Sequence, residues 1–481
     1  MRKLVLASLA ATLLAGCFKV GPDYQRPEVV TPKQWRFGGK EARDTTNLKW
    51  WGQLGDPVLS ALVDRAVRQN LDLKIAVANV DRFMGLYGST RSNLFPQISG
   101  EAQYLRRQAS SKLLNLPEGV AFNPQDTDYA QLAATMNWEL DVWGALRRAN
   151  EAAQADMLAQ DAFKRAVILT LVSQVAQTYI QLRTLDRNLD ITKEVVETLA
   201  EELRIAKARF NEGYTSELEV NQVESEYERR AALIPAAEQE IALTEHALKV
   251  LLGENPGPIQ RGRTIDELKL PVAPAGLPSD LLARRPDIQS AEQDLVAANA
   301  RIGVARGLYF PRISLTGDVG QISTQVATLF APGANFWSIG SALLTPIFTA
   351  GKIAGQVQAA EATQRAALAN YQRAIISAFR EFEDALVSTQ KTGEQREKQV
   401  SRVAAVQNYL KLAQVRYDEG YTDFITVLDS LRQLYEAQID LLNVQGAHFT
   451  AAIQMYRAMG GGWIAQAEAT LPKPEEAAYF P

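Results

Sequence analysis

The chain of 481 residues holds one cysteine, Cys17, and two histidines, His246 and His448. A single thiol cannot close an internal disulfide, and neither histidine has a cysteine, serine or carboxylate motif beside it, so thiol, metal and triad chemistry have little to draw on. No glycine loop of the phosphate-binding pattern occurs. An enzyme is not expected, and neither is a cofactor or a metal. An excess of positive charge is missing as well: 51 Lys and Arg face 55 Asp and Glu, for a formal charge of −4. That balance argues against a nucleic-acid partner. Apolar residues make up 47% of the chain, yet beyond the start no unbroken apolar run approaches the roughly 18 to 20 residues of a spanning helix. If this chain crosses a membrane, it does so with strands.

Helix breakers are absent from one long stretch, since neither glycine nor proline occurs from Ala145 to Glu212. Within it Ile168, Leu171, Val175, Thr178, Leu182, Leu185, Leu189, Thr192, Val196, Leu199, Leu203, Ala206 and Phe210 recur in steps of three and four. A sustained 3.5-residue period predicts a left-handed coiled coil. At about 1.5 Å per residue such a helix reaches on the order of 100 Å. After Lys352 the same pattern runs through Ile375, Ala378, Phe382, Ala385, Val403, Val406, Leu410, Ala413 and Tyr417, with polar interruptions at Thr389, Thr392, Arg396 and Gln399.

The two long patterns belong to an internal duplication. LRIAKARFNEGYTSELEV from Leu203 answers LKLAQVRYDEGYTDFITV from Leu410, and the offset of 207 also carries Gly253 onto Gly460. In each copy a helix runs into Gly-Tyr-Thr, where glycine supplies the positive φ that ends it, and a second helix follows. Upstream, LFPQIS at Leu94 to Ser99 answers YFPRIS at Tyr309 to Ser314, now offset by 215. Each copy therefore reads helix, Pro-bounded β segment, long helix, turn, helix. The opening helix of the first copy spans Pro57 to about Asn93 with a break near Asn70, and its counterpart is Leu281 to Gly307.

Four segments alternate at period two. Ala130, Leu132, Ala134, Met136, Trp138 and Leu140 face away from Tyr129, Gln131, Ala133, Thr135, Asn137 and Glu139. Ile98, Gly100, Ala102 and Tyr104 form one face of a second segment, and Ile313, Leu315, Gly317 and Val319 one face of a third. The fourth, Phe336 to Thr345, is the least regular because Ile339 and Leu343 fall on what reads as its polar face. Segments of about ten residues with one apolar and one polar face suit a membrane barrel; the strands alone would also fit a soluble sandwich. Four strands cannot close a barrel, and an open edge in lipid is forbidden, so several chains must share one.

At the N-terminus Met1-Arg2-Lys3 precedes an apolar segment, Leu4 to Ala15, and then Leu14-Ala15-Gly16-Cys17. This reads as an export signal. Residues 1–16 are expected to be removed, leaving Cys17 as an acylated first residue, in preference to an ordinary signal with an incidental cysteine. The expected organisation is an extended lead over 17–56 with Trp50 and Trp51 packed in a core, a first repeat over 57–253, a Pro-rich connection over 254–279 with a short helix near Ile265 to Leu268, a second repeat over 280–460, and a closing segment over 461–481.

Taken together, Val20-Gly21-Pro22-Asp23-Tyr24 with Arg26-Pro27, GLPSDLLARRPDI from Gly276 to Ile288, the paired FP motifs, the paired RF/RY…EGYT turns and Gly460-Gly461-Gly462-Trp463 resemble the bacterial outer membrane factor family. These are the TolC-like channel tunnels, and the match is to their lipoprotein, OprM-type efflux branch. It covers nearly the whole chain after the signal. It implies a mainly α protein with a transmembrane β-barrel: a homotrimer of twelve strands, four per chain, continued by a periplasmic α-barrel. As partners it implies an inner-membrane transporter, a periplasmic adaptor and outer membrane lipids. The work implied is passive export of drugs, solvents or metal ions; a protein-secretion duct and a lipid-tethered coiled-coil scaffold are the alternatives.

The resemblance also implies a gate. Its matching positions are Ile425 and Asp429, four residues apart on one helix face, where three copies would form an apolar ring and a carboxylate ring. The first repeat has Leu218 and Gln222 there. Tyr417 and Glu219 match a bonded pair that ties the closed end, whereas a second tie uses an arginine where this chain has Thr422. Gly213 and Gly420, at the turns, are the positions for close approach by the adaptor.

Overall fold

The computed structural model describes residues 19–29, 31–32, 35–36, 49–108, 126–271, 278–461, 463–464 and 468. Cys17 and the signal segment lie outside them.

After a short 3-10 turn at Trp50–Leu54, the first repeat begins with α1 (Pro57–Gln69) and α2 (Leu71–Ser92). They part at Asn70, whose Oδ1 accepts from Leu73 N–H at 2.9 Å and caps α2. Strands β1 (Gln97–Gln108) and β2 (Asp126–Leu140) lead into α3 (Ala145–Asn211), then α4 (Glu217–Ala231) and α5 (Leu233–Leu251). The second repeat holds α6 (Pro278–Arg284), α7 (Pro286–Gly307), β3 (Arg312–Ser323), β4 (Asn335–Leu344), α8 (Lys352–Asp418) and α9 (Phe424–Ala458). Both α3 and α8 have 67 residues, about 100 Å each.

Two helix breaks are set by local sequence: the first is shared by both repeats, since Arg285 stands 215 positions after Asn70, and the second is confined to the first repeat. The opening helix of the second copy is divided into α6 and α7 at Pro286, because the residue before a proline is driven out of the helical region; Arg285 sits at ψ 120°. The helix after the first turn is also divided, at Ala232, three residues before Pro235. Proline has no N–H to bond the carbonyl four residues back. The counterpart of Pro235 is Leu442, and α9 runs unbroken. The segment Ile265 to Leu268 is a turn rather than a helix, closed by Glu267 N–H to Thr264 O at 3.1 Å.

The strands form one antiparallel sheet in the order β1-β2-β3-β4. Register corrects the reading of β4. Gly317 pairs with Ile339, Val319 with Trp337 and Ile313 with Leu343, while Ala134 pairs with Val319 and with Gly100. Paired residues share a face. Ile339 and Leu343 therefore lie beside Trp337 on the apolar face with Ile98, Tyr104, Leu132 and Val319, and the opposite face carries Ser338, Asp318, Thr135 and Glu101. The misreading arose because Phe336 and Leu344 put apolar residues on the polar side. Trp337 and Ile339 are 76% and 81% exposed. A sheet with this much bare apolar surface and two unpaired edges is not a water-facing structure.

The largest core lies at mid-height on α3. Trp50, Trp51 and Leu54 pack there with Leu59 and Val63 of α1, Val172 and Tyr179 of α3, Leu248 of α5, Ile265, and Ile453, Tyr456 and Trp463. Asp56 is the polar pin of this joint. Its carboxylate caps α1 by accepting from Val58 N–H at 2.8 Å, and it also accepts from Tyr179 Oη at 2.7 Å and Arg263 N–H at 3.0 Å. Among the described residues no helix is long and apolar enough to cross a membrane.

Candidate functional site

Two ends of the body carry the candidate residues. At the strand–helix junction the lead docks as a strap. Val20 N–H bonds Trp143 O at 3.0 Å, just after β2 ends. Arg148 of α3, 1% exposed, gathers Val20 O, Gly21 O and the Asp23 carboxylate. Further along, Tyr24 Oη and Arg26 donate to Glu292 of α7. Gly21 has φ 95°, and a Cβ there would lie 2.5 Å from Gly303 Cα, so both backbone and space require glycine. The Val-Gly-Pro-Asp-Tyr motif is thus a docking sequence, fixed by a buried guanidinium.

The far end is the pair of hairpin tips. At both turns the helix closes in a Schellman arrangement: Tyr214 N–H bonds Arg209 O and Gly213 N–H bonds Phe210 O, and Tyr421 and Gly420 bond Arg416 O and Tyr417 O in the same way. Gly213 and Gly420 have φ 79° and 76° with open space around them. Tyr214 and Tyr421 are 84% and 75% exposed.

Behind the turns the hairpins share an apolar cluster of Leu199 and Ala206 from α3, Val220 and Val223 from α4, Ala413 from α8, and Phe424, Val427 and Leu428 from α9. Burying Phe424, Val427 and Leu428 turns Ile425 and Asp429 the other way, onto the exposed face of α9. Asp429 Oδ2 accepts from Gln433 Nε2 at 2.7 Å on that face. Leu218, the counterpart of Ile425, is exposed on α4.

Polar contacts bracket the apolar cluster. On the tip side Tyr417 Oη donates to Glu219 Oε1 at 2.6 Å, which brings α8 against α4. Arg209 Nη1 donates to Tyr417 Oη at 3.0 Å, Thr215 Oγ1 donates to the other Glu219 oxygen, and the Phe424 ring packs edge-on to Tyr417 at 5.3 Å. Burial, with the Glu219 carboxylate beside it, pushes the Tyr417 hydroxyl up to about 12. Tyr417 is therefore a donor at any neutral pH. Thr422, in the turn before α9, donates its hydroxyl to Thr426 Oγ1 of α9 at 3.0 Å.

On the other side, Glu226 of α4 is 2% exposed and accepts from Arg229 at 2.7 and 3.0 Å, Arg230 at 2.8 Å and Arg432 of α9 at 2.8 Å. Burial would raise this carboxyl, but the three guanidinium groups outweigh burial and hold it below the usual carboxylate range. The sequence reading missed Glu226 and Arg432. Their counterparts are Gln433 and Ser225, so matching one repeat to the other sets neither residue against a charge.

Among the described residues no group of His, Cys, Asp and Glu is placed to hold a metal ion. The family model described as Outer membrane efflux protein matches residues 62–254 and 277–461. The solvent efflux pump outer membrane protein SrpC of Pseudomonas putida is 35% identical over 469 residues, covering 95% of this chain and 98% of its own. The probable outer membrane lipoprotein SilC of Salmonella typhimurium is 29% identical over 96% of this chain and all of its own. The outer membrane channel CmeC of Campylobacter jejuni superposes with a TM-score of 0.86 at 27% identity, covering 92% of this chain and 95% of that one.

Proposed function

The chain belongs to the outer membrane efflux protein family, and from that premise we propose that it is the exit duct for apolar solvents and drugs. It is an outer membrane channel of an efflux pump. The observation that carries the duct reading is the continuity of an open, apolar-faced sheet with two helices of 67 residues each. One part is built for lipid and closes only with further copies. The other is long enough to cross a wide aqueous space.

The assembled form is a homotrimer with a twelve-stranded barrel. An inner-membrane transporter loads it through a periplasmic adaptor, which meets the exposed turns at Gly213 and Gly420. Cys17 carries the lipid: two residues, Phe18 and Lys19, separate it from Val20, and three residue steps reach at most about 10 Å, which keeps the anchor within that distance of the strand–helix junction. Ile425 and Asp429 line the narrowest ring, and Tyr417 with Glu219 holds that ring closed.

Solvents are favoured as cargo because a relative with 35% identity is named for solvent efflux. The test is growth under toluene of cells lacking this chain, with and without a plasmid copy. Restored tolerance that depends on the cognate pump supports the reading. Restored tolerance without any pump, or none at all, overturns it.

A further inference from the structure

Opening the mouth of this protein requires the hairpin α3–α4 to separate from α8–α9; Arg209 with Tyr417 and Thr192 with Tyr435 bond across that seam from α3, and two bonds to carboxylates of α4 cross it. Tyr417 to Glu219 is the one the resemblance implied. The other is Arg432 Nε to Glu226 Oε2 at 2.8 Å. Glu219 and Glu226 lie two turns apart on α4, so they present to the second repeat from the same helix face. The first takes its partner from α8 and the second from α9. Between them lie Val220 and Val223, buried against Phe424, Val427 and Leu428.

We infer that Glu226 is a second lock on the gate, in which a buried carboxylate holds α4 to α9 through Arg432 and must release that arginine before the mouth widens. This rests on the gate reading above. Several features suit Glu226 to the role. It is almost fully buried, so the ion pair is little screened by salt. Arg229 and Arg230 come from its own helix, at i+3 and i+4, and stay with it when the hairpins part, so the carboxylate is never left bare. Arg432 has its side chain 35% exposed and can turn to water, which lowers the cost of release. Arg230 also lies 3.9 Å over the ring of Tyr435 on α9, and the Tyr435 hydroxyl meets Thr192 Oγ1 of α3 at 3.2 Å. The lock therefore joins three helices just above the apolar cluster. The break at Ala232, two residues beyond Arg230, lets α4 move as a short rigid segment without bending α5.

The experiment compares single-channel open probability of the purified full-length protein in planar bilayers for the parent, Arg432→Gln, Arg432→Lys, Tyr417→Phe and the double variant Arg432→Gln/Tyr417→Phe. Arg432→Gln removes only the arm that crosses the seam and leaves Glu226 two arginines, so folding is spared. It should raise open probability roughly tenfold, the factor equivalent to about 1.4 kcal/mol. Arg432→Lys keeps the charge and should return most of the closed state. The double variant should open more than either single one, because both locks hold the same segment. If Tyr417→Phe opens the channel and Arg432→Gln, with its oligomer intact, does not, the second lock is refuted and the gate stands. If neither opens it, the gate reading itself fails. Equal opening by Arg432→Gln and Arg432→Lys would make the residue a packing element rather than an ionic lock.

Discussion

Tyr417→Phe removes one oxygen from the tip and leaves the ring. The lost contact is the 2.6 Å bond from Tyr417 Oη to Glu219, together with the bond that Arg209 donates to the same hydroxyl. A hydrogen bond to a charged partner contributes about 1.5–3 kcal/mol when both groups are sheltered. Tyr417 and Glu219 are only half-buried, and Thr215 continues to donate to Glu219, so the net loss per chain should be nearer 1 kcal/mol. That is roughly fivefold in the open-to-closed ratio of one subunit. If all three subunits of the proposed trimer must release together, the factors multiply to about a hundredfold; if one suffices, the change stays near fivefold. The assay is single-channel recording with the tip facing the chamber of known polarity, at fixed salt. Open probability should rise between those limits while cation selectivity is unchanged, because no charge is removed from the pore. A closed-state lifetime equal to that of the parent would refute the tie. A fall in trimer stability without opening would show that Tyr417 serves packing alone.

Other outcomes follow from the same geometry. Cys17→Ser should lose the acyl mass in intact-protein mass spectrometry and still yield an inserted trimer, since a barrel offers far more lipid-facing area than acyl chains do; a soluble monomer would contradict the barrel. Asp429→Asn removes a charge from each copy at the proposed ring, so cation selectivity should fall about threefold or more and divalent block from the periplasmic side should weaken. Ile425→Ala should instead raise conductance with selectivity kept, and an unchanged Asp429→Asn channel would put that face outside the pore. The pH response is fixed in sign by Glu226: its folded value lies below the ordinary 4.5, so the stability it adds is complete above about pH 4.5 and lost as pH falls through the lowered value. Arg229, Arg230 and Arg432 are the charges facing it, with the Tyr435 ring behind Arg230. Open probability should rise on acidification below that range, and Glu226→Gln should flatten the response.

Much of this architecture was legible because its signals are long. A stretch from Ala145 to Glu212 without a breaker became a helix over Ala145–Asn211, and the repeat offset located both tips through Gly213 and Gly420. What escaped depends on contacts between elements. The parity of β4 could not be read where Phe336 and Leu344 sit on the polar face; only pairing with β3 assigns Ile339 and Leu343 to the apolar one. Pro235 lies in a pattern that otherwise continues as a helix, and its effect shows only beside Leu442. At the candidate gate, spacing of four is enough to put Ile425 and Asp429 on one face. Glu226 and Arg432 are 206 positions apart and carry no shared motif. Their pairing is a product of the fold.

The measurement that bears most directly on the whole account is ion conductance of the purified, membrane-inserted protein across a planar bilayer. A channel that ends in the proposed apolar and carboxylate rings should give discrete, cation-preferring steps, small at rest and enlarged in Tyr417→Phe. A protein that inserts stably and passes no ions, either as the parent or as Tyr417→Phe, would contradict the claim that this chain forms a duct.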